Sequence, residues 1–205
     1  VGEEHIGWRY DPIFIDDKYT VKYHLEQFED ISAALQGYTR NCVISFLDLY
    51  QKVKRNFPEA KMVSKEQRKY LGEHMTHIAT EHKMTLRPCG EGTELAAFGA
   101  DCNGCMTQQI YENAIHMSLD MPKKQPLRKE CACYLGYDIG AYNSCPHMCK
   151  YCYANYDEKS VHLNLINHNP KSAFLIGDDM PNDKVHKAVQ KSWINGQISL
   201  NEFLI

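Results

Sequence analysis

Short apolar runs and longer amphipathic segments alternate along the first part of the chain. The runs Ile6–Ile15 and Cys42–Asp48 predict strands, and the second is nearly continuous in apolar residues, as expected of a parallel strand covered on both faces. Met84–Cys89 predicts a third, short strand. The segments Thr20–Gln36 and Ser64–Lys83 lie between them and carry apolar residues at helical spacing. This order of strand, helix, strand, helix, strand predicts a parallel α/β sheet.

Capping residues mark the ends of the predicted helices. Thr20 suits the N-cap of the first helix, and Gly37 suits the C′ position after its last turn. Ser64 and Gln67 have the spacing of a capping box at the start of the second helix. Apolar spacing and capping residues therefore indicate the same helices.

Charged residues stand within the first predicted strand and at the ends of the other two. Alternation places Arg9, Asp11 and Ile13 on one face of the first strand, opposite its aromatic residues. Opposite charges are costly to bury unless they are paired or face a polar cavity. Because chemistry in (β/α) barrels takes place at the C-terminal ends of the strands, we predict that Arg9 and Asp11, with Asp48 and Arg87, are catalytic and bind substrate or the polar groups of a cofactor.

Three strand–helix units are fewer than a closed barrel needs. We therefore predict an α/β fold in which residues 1–88 form a partial or truncated (β/α) barrel of parallel strands. Residues 89–205 are predicted to form a C-terminal, cysteine-rich, cluster-binding extension. The further elements predicted there are strands at residues 134–140 and 173–176 and helices near residues 108–117 and 181–193. Since the chain opens almost directly into a strand, we expect it to be the later part of a longer protein.

Composition excludes several classes of function. The chain has 205 residues, a formal net charge of −3 and scattered lysines and arginines, which do not indicate nucleic-acid binding. No segment has the length of a membrane span, and the N-terminal residues do not form a signal peptide. Nine cysteines without a secretory signal favour metal binding over a disulfide framework. We expect a cytoplasmic protein.

One short segment concentrates three of the cysteines. Cys145, Cys149 and Cys152 have the spacing Cys-x3-Cys-x2-Cys, and thiolates are soft ligands that select zinc or iron–sulfur clusters. A structural zinc site is normally closed by four ligands, whereas this loop supplies three. A cubane cluster held by three thiolates leaves one iron open to another ligand. His147, inside the loop, is a candidate zinc ligand or a hydrogen-bond donor to a cluster or cofactor.

The loop resembles the signature of the radical S-adenosylmethionine (SAM) superfamily, Cys-x3-Cys-x-aromatic-Cys, with Tyr151 as the aromatic residue. The resemblance implies a [4Fe–4S] cluster whose open iron binds SAM. It also implies reductive cleavage of SAM to a 5′-deoxyadenosyl radical, hydrogen abstraction from an unknown, small-molecule substrate, and an electron donor such as flavodoxin or ferredoxin. Enzymes of that superfamily hold the methionine amino group with a Gly-Gly-Glu-like stretch, and Glu91 is a candidate for this role.

A wider pattern resembles a bacterial family of unknown function that carries a radical-SAM-like cysteine cluster at its C-terminus. The pattern consists of Trp-Arg-Tyr-Asp-Pro-Ile from Trp8, Ile-Ser-Phe-Leu-Asp-Leu-Tyr from Ile44, and the stretch from Asp138 to Asn155. The resemblance implies a barrel wound from a different starting strand. It does not supply a substrate.

The other cysteines form a candidate second metal site. Cys89, Cys102, Cys131 and Cys133 provide four thiols, with Cys105 as a substitute for Cys102. These four would hold either a second cluster or a structural zinc ion, and the sequence leaves both open. Two functions follow: a radical-SAM-like enzyme, or a non-catalytic zinc or iron–sulfur module with a structural or electron-transfer role.

Overall fold

The computed structural model describes residues 1–122, 131, 133–134, 140–189 and 191–196. These residues have a mixed α/β structure with a small open sheet of three parallel strands: β1 (Gly7–Ile13), β2 (Asn41–Phe46) and β3 (Thr85–Pro88). The strands pair in the order β1–β2–β3. The parallel α/β sheet predicted from the sequence is confirmed. Within the described ranges this sheet stays open and does not close into a barrel.

Five α-helices occur in the described residues, with single 3-10 turns at Glu3–His5 and Glu94–Phe98. Thr20 caps the first helix by accepting a hydrogen bond from the Tyr23 amide at 3.1 Å, and Gly37 after it has a φ of 84°. Ser64 and Gln67 form both hydrogen bonds of the predicted capping box. The helices are α1 (Val21–Leu35), α2 (Gln51–Asn56), α3 (Lys65–Glu81), α4 (Gln108–Ile115) and α5 (Glu158–Ile166).

The main core lies between one face of the sheet and helices α1 and α3. Phe28 is fully buried, stacked on Trp8 at a ring-centroid distance of 4.9 Å and edge-on to Tyr10 at 5.4 Å. Leu71 and Met75 on α3 are also fully buried. This face of the sheet therefore provides the hydrophobic contact that orients both helices.

The opposite face of the sheet carries both arginines singled out in the sequence. The strand register places Arg9, Val43 and Arg87 side by side. Cys42 and Ile44, which precede and follow Val43, point instead into the main core. The face with Arg9 is therefore available for polar contacts.

Ile13 departs from the predicted alternation. It was expected on the same face as Arg9 and Asp11, but it is fully buried in the main core. The pairing of β1 with β2 shifts between Tyr10 and Ile13. Since an irregularity of one residue exchanges the two faces of a strand, this shift returns Ile13 to the core side.

The chain divides into two compact units. The first unit comprises residues 1–47, 63–135 and 191–205 and contains the sheet with α1, α3 and α4. The second comprises residues 48–62 and 136–190 and contains α2 and α5. The predicted strand at residues 134–140 lies mostly outside the described residues.

The C-terminal part of the chain differs from its predicted elements. Residues 173–176 form bends rather than a strand, and described residues 181–189 and 191–193 are irregular rather than helical. Val185 and Val189 remain 91% and 96% exposed. Because these side chains are not packed against apolar surface in the described residues, their spacing does not stabilise a helix there. The helix predicted near residues 108–117 is present as α4 and ends where His116 adopts a left-handed φ of 53°.

In the described part of the chain, no helix combines the length and the apolar character that crossing a bilayer requires.

His24 is a buried polar residue, 5% exposed, that the sequence did not single out. Its Nε2 lies 2.7 Å from the Phe14 carbonyl oxygen, which can only accept, so Nε2 donates. Its Nδ1 lies 2.8 Å from the Tyr10 hydroxyl, and burial raises the pKa of Tyr10 to about 12, so this hydroxyl stays protonated and donates. Burial lowers the pKa of His24, although the hydrogen bond to Phe14 opposes the shift. The ring is therefore held neutral.

We expect the stability of the first unit to fall on acidification because of His24. Its pKa is lower in the folded state than in the unfolded state, where it is about 6.5. Below about pH 6.5 the unfolded chain therefore binds the proton more readily, and the free energy of unfolding decreases as the pH falls. Urea unfolding at pH 7.5 and 5.5 measures this change. In the His24→Gln variant, which cannot titrate, the difference between the two pH values should be smaller; an equal difference in both proteins would contradict the assignment.

Candidate metal centres

The cysteine loop, which we define as residues 141–157, belongs to the second unit. Its three cysteines are thiols; Cys145 and Cys149 are exposed and Cys152 is half-buried. The Cys152 amide donates to the Cys149 carbonyl at 2.9 Å, so these two residues close a tight turn. The turn brings two of the three soft donors near each other in a loop with no regular secondary structure.

Two asparagines hold the cysteine loop closed. Asn155 is 5% exposed, and its Nδ2 donates to the Cys145 carbonyl at 2.7 Å. Asn143 donates from its amide to the Ala154 carbonyl at 3.2 Å, and its side-chain oxygen accepts from the Tyr156 amide at 2.5 Å. Sequence reasoning did not assign a role to either side chain. The only signal for them was their position at the two ends of the cysteine motif.

A cavity of about 360 Å³ opens beside the thiols, within the second unit. That volume is in the range of small-molecule sites. Its lining includes Cys149, Cys152, Arg55, Asn155, Asp157 and Glu158. The side-chain Oδ1 of Asn155 is buried and has no hydrogen-bond partner in the described residues. The residues that line the cavity thus include two thiols, two acids and two cations, the second cation being Lys150.

Hydrogen bonds to the backbone hold two charged residues of the cavity, Arg55 and Asp157, in place. Arg55 donates from Nη2 to the Tyr156 carbonyl at 3.1 Å. Asp157 is the N-cap of α5 and accepts from the Ser160 amide at 2.8 Å, a hydrogen bond that lowers the pKa of Asp157. Asp157 therefore stays charged near neutral pH. His147 and Tyr151 are exposed and are not among the residues that line the cavity.

A second group of cysteines lies on the arginine-bearing face of the sheet in the first unit. We name Cys89, Cys105, Cys131 and Cys133 the buried thiol cluster. The Cys105 sulfur lies 3.8 Å from that of Cys89 and 3.2 Å from that of Cys133, and Cys131 packs alongside with Val43. Cys105 and Cys133 are 9% and 5% exposed. Three distant segments of the sequence therefore bring their thiols together.

Cys105, and not Cys102, occupies the position near the other thiols. The sequence placed Cys102 in the second set and kept Cys105 as its substitute. The Cys102 side chain packs against the main core, with its sulfur 3.9 Å from the Ala100 carbonyl. The hydrogen bond that the Cys105 thiol donates to the Cys89 sulfur, together with burial and the nearness of Cys133, raises the pKa of Cys105.

Arg9 connects the buried thiol cluster to Asp11. Its Nη1 donates to the Cys105 sulfur at 3.8 Å, and its Nη2 and Nε donate to Asp11 at 2.6 and 3.1 Å. Partial burial acts against its charge, but the hydrogen bonds to Asp11 and Cys89 outweigh burial and raise the pKa of Arg9. Arg9 is therefore a cation held beside the sulfur atoms by its ion pair with Asp11.

Arg87 holds the segment that carries Cys105. It is ion-paired with Asp101 and donates to the Gly104 carbonyl at 3.3 Å and to the Asn41 side chain at 3.0 Å. These contacts tie the segment to the sheet. Arg87 therefore stabilises the position of the segment that carries Cys105.

The carboxylates of Glu91 and Asp48 also accept hydrogen bonds from other residues of the chain. Glu91 accepts from the Phe46 amide and from Arg68, each at 2.8 Å, and so joins the end of β2 to α3. Asp48 belongs to the second unit and accepts from the Tyr50 hydroxyl at 3.1 Å. Sequence position alone did not reveal the pairing of Glu91 with Arg68.

The side chains do not form a complete metal-ligand set as they are placed. In the described ranges, no three or more His, Cys, Asp and Glu side chains are arranged to hold a metal ion. The two cysteine groups are therefore candidate metal sites because of the chemistry of their thiols and the positions of these residues in the fold.

One comparison with known proteins gives a match. The model of a protein family described as a domain of unknown function (DUF1848) matches residues 1–154, which is most of the chain. The matched region contains the buried thiol cluster and all three cysteines of the loop. No curated protein and no solved structure matches.

Proposed function

We propose, for a chain that belongs to the DUF1848 family of domains of unknown function, a radical-SAM-like iron–sulfur activity centred on the cysteine loop. In this proposal Cys145, Cys149 and Cys152 hold a [4Fe–4S] cluster, and SAM binds beside it. The observation that carries the proposal is the cavity of about 360 Å³ lined by Cys149 and Cys152 together with charged groups. Soft ligands and a ligand-sized space thus occur at one place.

The donor set of the loop suits a cluster better than a closed zinc site. It supplies three thiols, so a structural zinc site would need His147 as its fourth ligand, and His147 is exposed and does not line the cavity with Cys149 and Cys152. The exposure of Cys145 and Cys149 leaves these thiols accessible for assembly of a cluster. Asn155 lines the cavity, and its buried Oδ1 has no hydrogen-bond partner in the described residues. The residues therefore fit the proposed group.

The charges of the cavity suit the amino-acid part of SAM. Arg55 can pair with its carboxylate, and Asp157 or Glu158 can pair with its amino group. Asn155 keeps the backbone of Cys145 in place through its hydrogen bond at 2.7 Å. The role of the protein is to orient the cofactor and to limit the access of water to it.

A cluster with bound SAM supplies one kind of chemistry: an electron from a donor such as flavodoxin or ferredoxin cleaves the sulfonium, and the radical formed takes a hydrogen atom from a substrate. The substrate proposed is a small molecule. The roles of Arg9, Asp11, Asp48 and Arg87 toward it stay a prediction, as does a truncated (β/α) barrel built on the three-stranded sheet.

Anaerobic reconstitution with iron and sulfide tests the proposal. We expect a reduced cluster whose electron paramagnetic resonance signal shifts when SAM is added, and slow formation of 5′-deoxyadenosine in the presence of dithionite. A cluster that does not respond to SAM, or a loop that binds only zinc, would overturn the catalytic proposal.

The second candidate is a metal-binding module without catalysis. The observation that favours it is the buried thiol cluster, which lies apart in the sequence from the cysteine loop and is packed against Val43. A module of this kind predicts tightly held metal in both cysteine groups and no 5′-deoxyadenosine in the same reconstitution.

A further inference from the structure

The buried thiol cluster gathers four cysteines from three separate segments of the first unit. Cys89 follows β3, Cys105 ends the loop after the second 3-10 turn, and Cys131 and Cys133 come from a later segment. All nine cysteines of the chain are thiols rather than disulfides. The described residues between these positions contain one 3-10 turn and helix α4. A metal ion bound by all four cysteines would cross-link the three segments.

The distances between the sulfur atoms indicate how many metal ions would fit. Zinc–sulfur bonds of about 2.3 Å in a tetrahedron place neighbouring sulfurs about 3.8 Å apart. The Cys89 and Cys105 sulfurs lie at 3.8 Å, and the Cys105 and Cys133 sulfurs at 3.2 Å. In a cubane each thiolate binds a different iron, so the sulfurs lie farther apart than the ligands of a single ion. The spacing thus favours one ion.

Arg9 supplies part of the charge balance that such a site needs. Four thiolates and one zinc ion carry two net negative charges, and the Arg9 guanidinium lies 3.8 Å from the Cys105 sulfur. Cationic hydrogen-bond donors next to bound thiolates stabilise the charged form. Asp11 accepts from the same guanidinium and holds it in position.

From these observations we propose that Cys89, Cys105, Cys131 and Cys133 bind one zinc ion in a closed site of four thiolates. As placed, the described side chains do not form the ligand set. Binding requires the Cys105 and Cys133 sulfurs to separate by about half an ångström and all four thiols, Cys131 included, to turn toward one point. With four protein ligands no position remains for substrate, so the site is structural. It joins the end of β3 to the two later segments. This site is independent of the cysteine loop, and its presence does not depend on radical chemistry.

Metal analysis in a variant without the loop cysteines tests the zinc site. In the full chain with Cys145→Ala, Cys149→Ala and Cys152→Ala, we expect about one zinc per chain. Cobalt in its place should give thiolate charge-transfer bands and the intense d–d bands of a tetrahedral site. Adding Cys133→Ser should abolish zinc binding, whereas adding Cys102→Ser should leave it unchanged.

Alkylation followed by peptide mass spectrometry gives a readout that does not require a folded Cys133 variant. In the chain that lacks the loop cysteines, zinc should slow the reaction of Cys89, Cys105, Cys131 and Cys133 with iodoacetamide relative to the zinc-free chain, and should leave the rates at Cys42 and Cys102 unchanged. Iron–sulfur absorbance instead of zinc, a disulfide between Cys105 and Cys133, or protection of a different set of cysteines would each overturn the proposal. None of these results would affect the test of the cysteine loop, which is carried out with SAM.

Discussion

Replacing Cys149 by alanine should abolish the response to SAM and reduce 5′-deoxyadenosine formation to background. Two thiolates would remain in the loop, which are too few to retain a cubane that needs at least three protein ligands. Cys149 also lines the cavity and accepts the Cys152 amide through its carbonyl, a backbone contact that alanine preserves. The loss should therefore come from the missing sulfur. Electron paramagnetic resonance of the reconstituted protein and chromatography of the nucleoside products measure it.

Cys102→Ala is the matched control for that experiment. Cys102 belongs to the first unit and packs against the main core, away from the sulfur atoms of the buried thiol cluster. This variant should keep both the SAM response and the zinc content. If Cys149→Ala still formed 5′-deoxyadenosine at the rate of the unchanged protein, the loop would not be the radical centre.

Local signals explain why the helices and strands of the first unit could be predicted. Thr20, Gly37 and the Ser64–Gln67 pair act on the backbone within a few residues, and each adopts the predicted cap. The apolar run of β2 needs only its own sequence to favour a buried parallel strand. Because the residues that interact here are close to one another in the sequence, a short segment is enough to predict them.

Features that depend on distant contacts were predicted less well. Cys105 rather than Cys102 lies beside the other thiols because of the conformation of the loop after the second 3-10 turn. Arg87 holds this loop through a hydrogen bond to the Gly104 carbonyl. Glu91 was assigned to a cofactor, yet it pairs with Arg68 and the Phe46 amide. No spacing rule relates such residues, because their partners are brought near only by the folded chain.

In the cysteine loop, the cysteine motif could be predicted from the sequence, whereas its surroundings could not. Its cysteine spacing could be recognised from the sequence, because the three thiols lie within eight positions of one another. The cavity beside them could not, since Arg55 comes from α2, far from the loop in sequence. The supporting role of Asn155 likewise became clear only from its hydrogen bond to the Cys145 carbonyl.

Removing zinc from the first unit should lower its melting temperature by about 6–12 °C. A cross-link that closes a loop of this order contributes about 3 kcal/mol, and each kcal/mol corresponds to about 2–4 °C for a chain of this size. The unit should not unfold completely, because Phe28, Leu71 and Met75 form a core that does not involve the thiols. Calorimetry of the chain without the loop cysteines, before and after treatment with a zinc chelator under reducing conditions, measures the shift.

Recovery on adding zinc separates a structural ion from simple packing of thiols. If zinc cross-links the segments, the melting temperature should return when the ion is restored, and Cys133→Ser should melt at the lower temperature with or without chelator. If the cysteines act only as small apolar side chains, the chelator should change nothing and Cys133→Ser should show a shift that zinc does not reverse. The distances of 3.2 and 3.8 Å around the Cys105 sulfur favour the first result, because they are close to the edge of a tetrahedron around one zinc ion, about 3.8 Å.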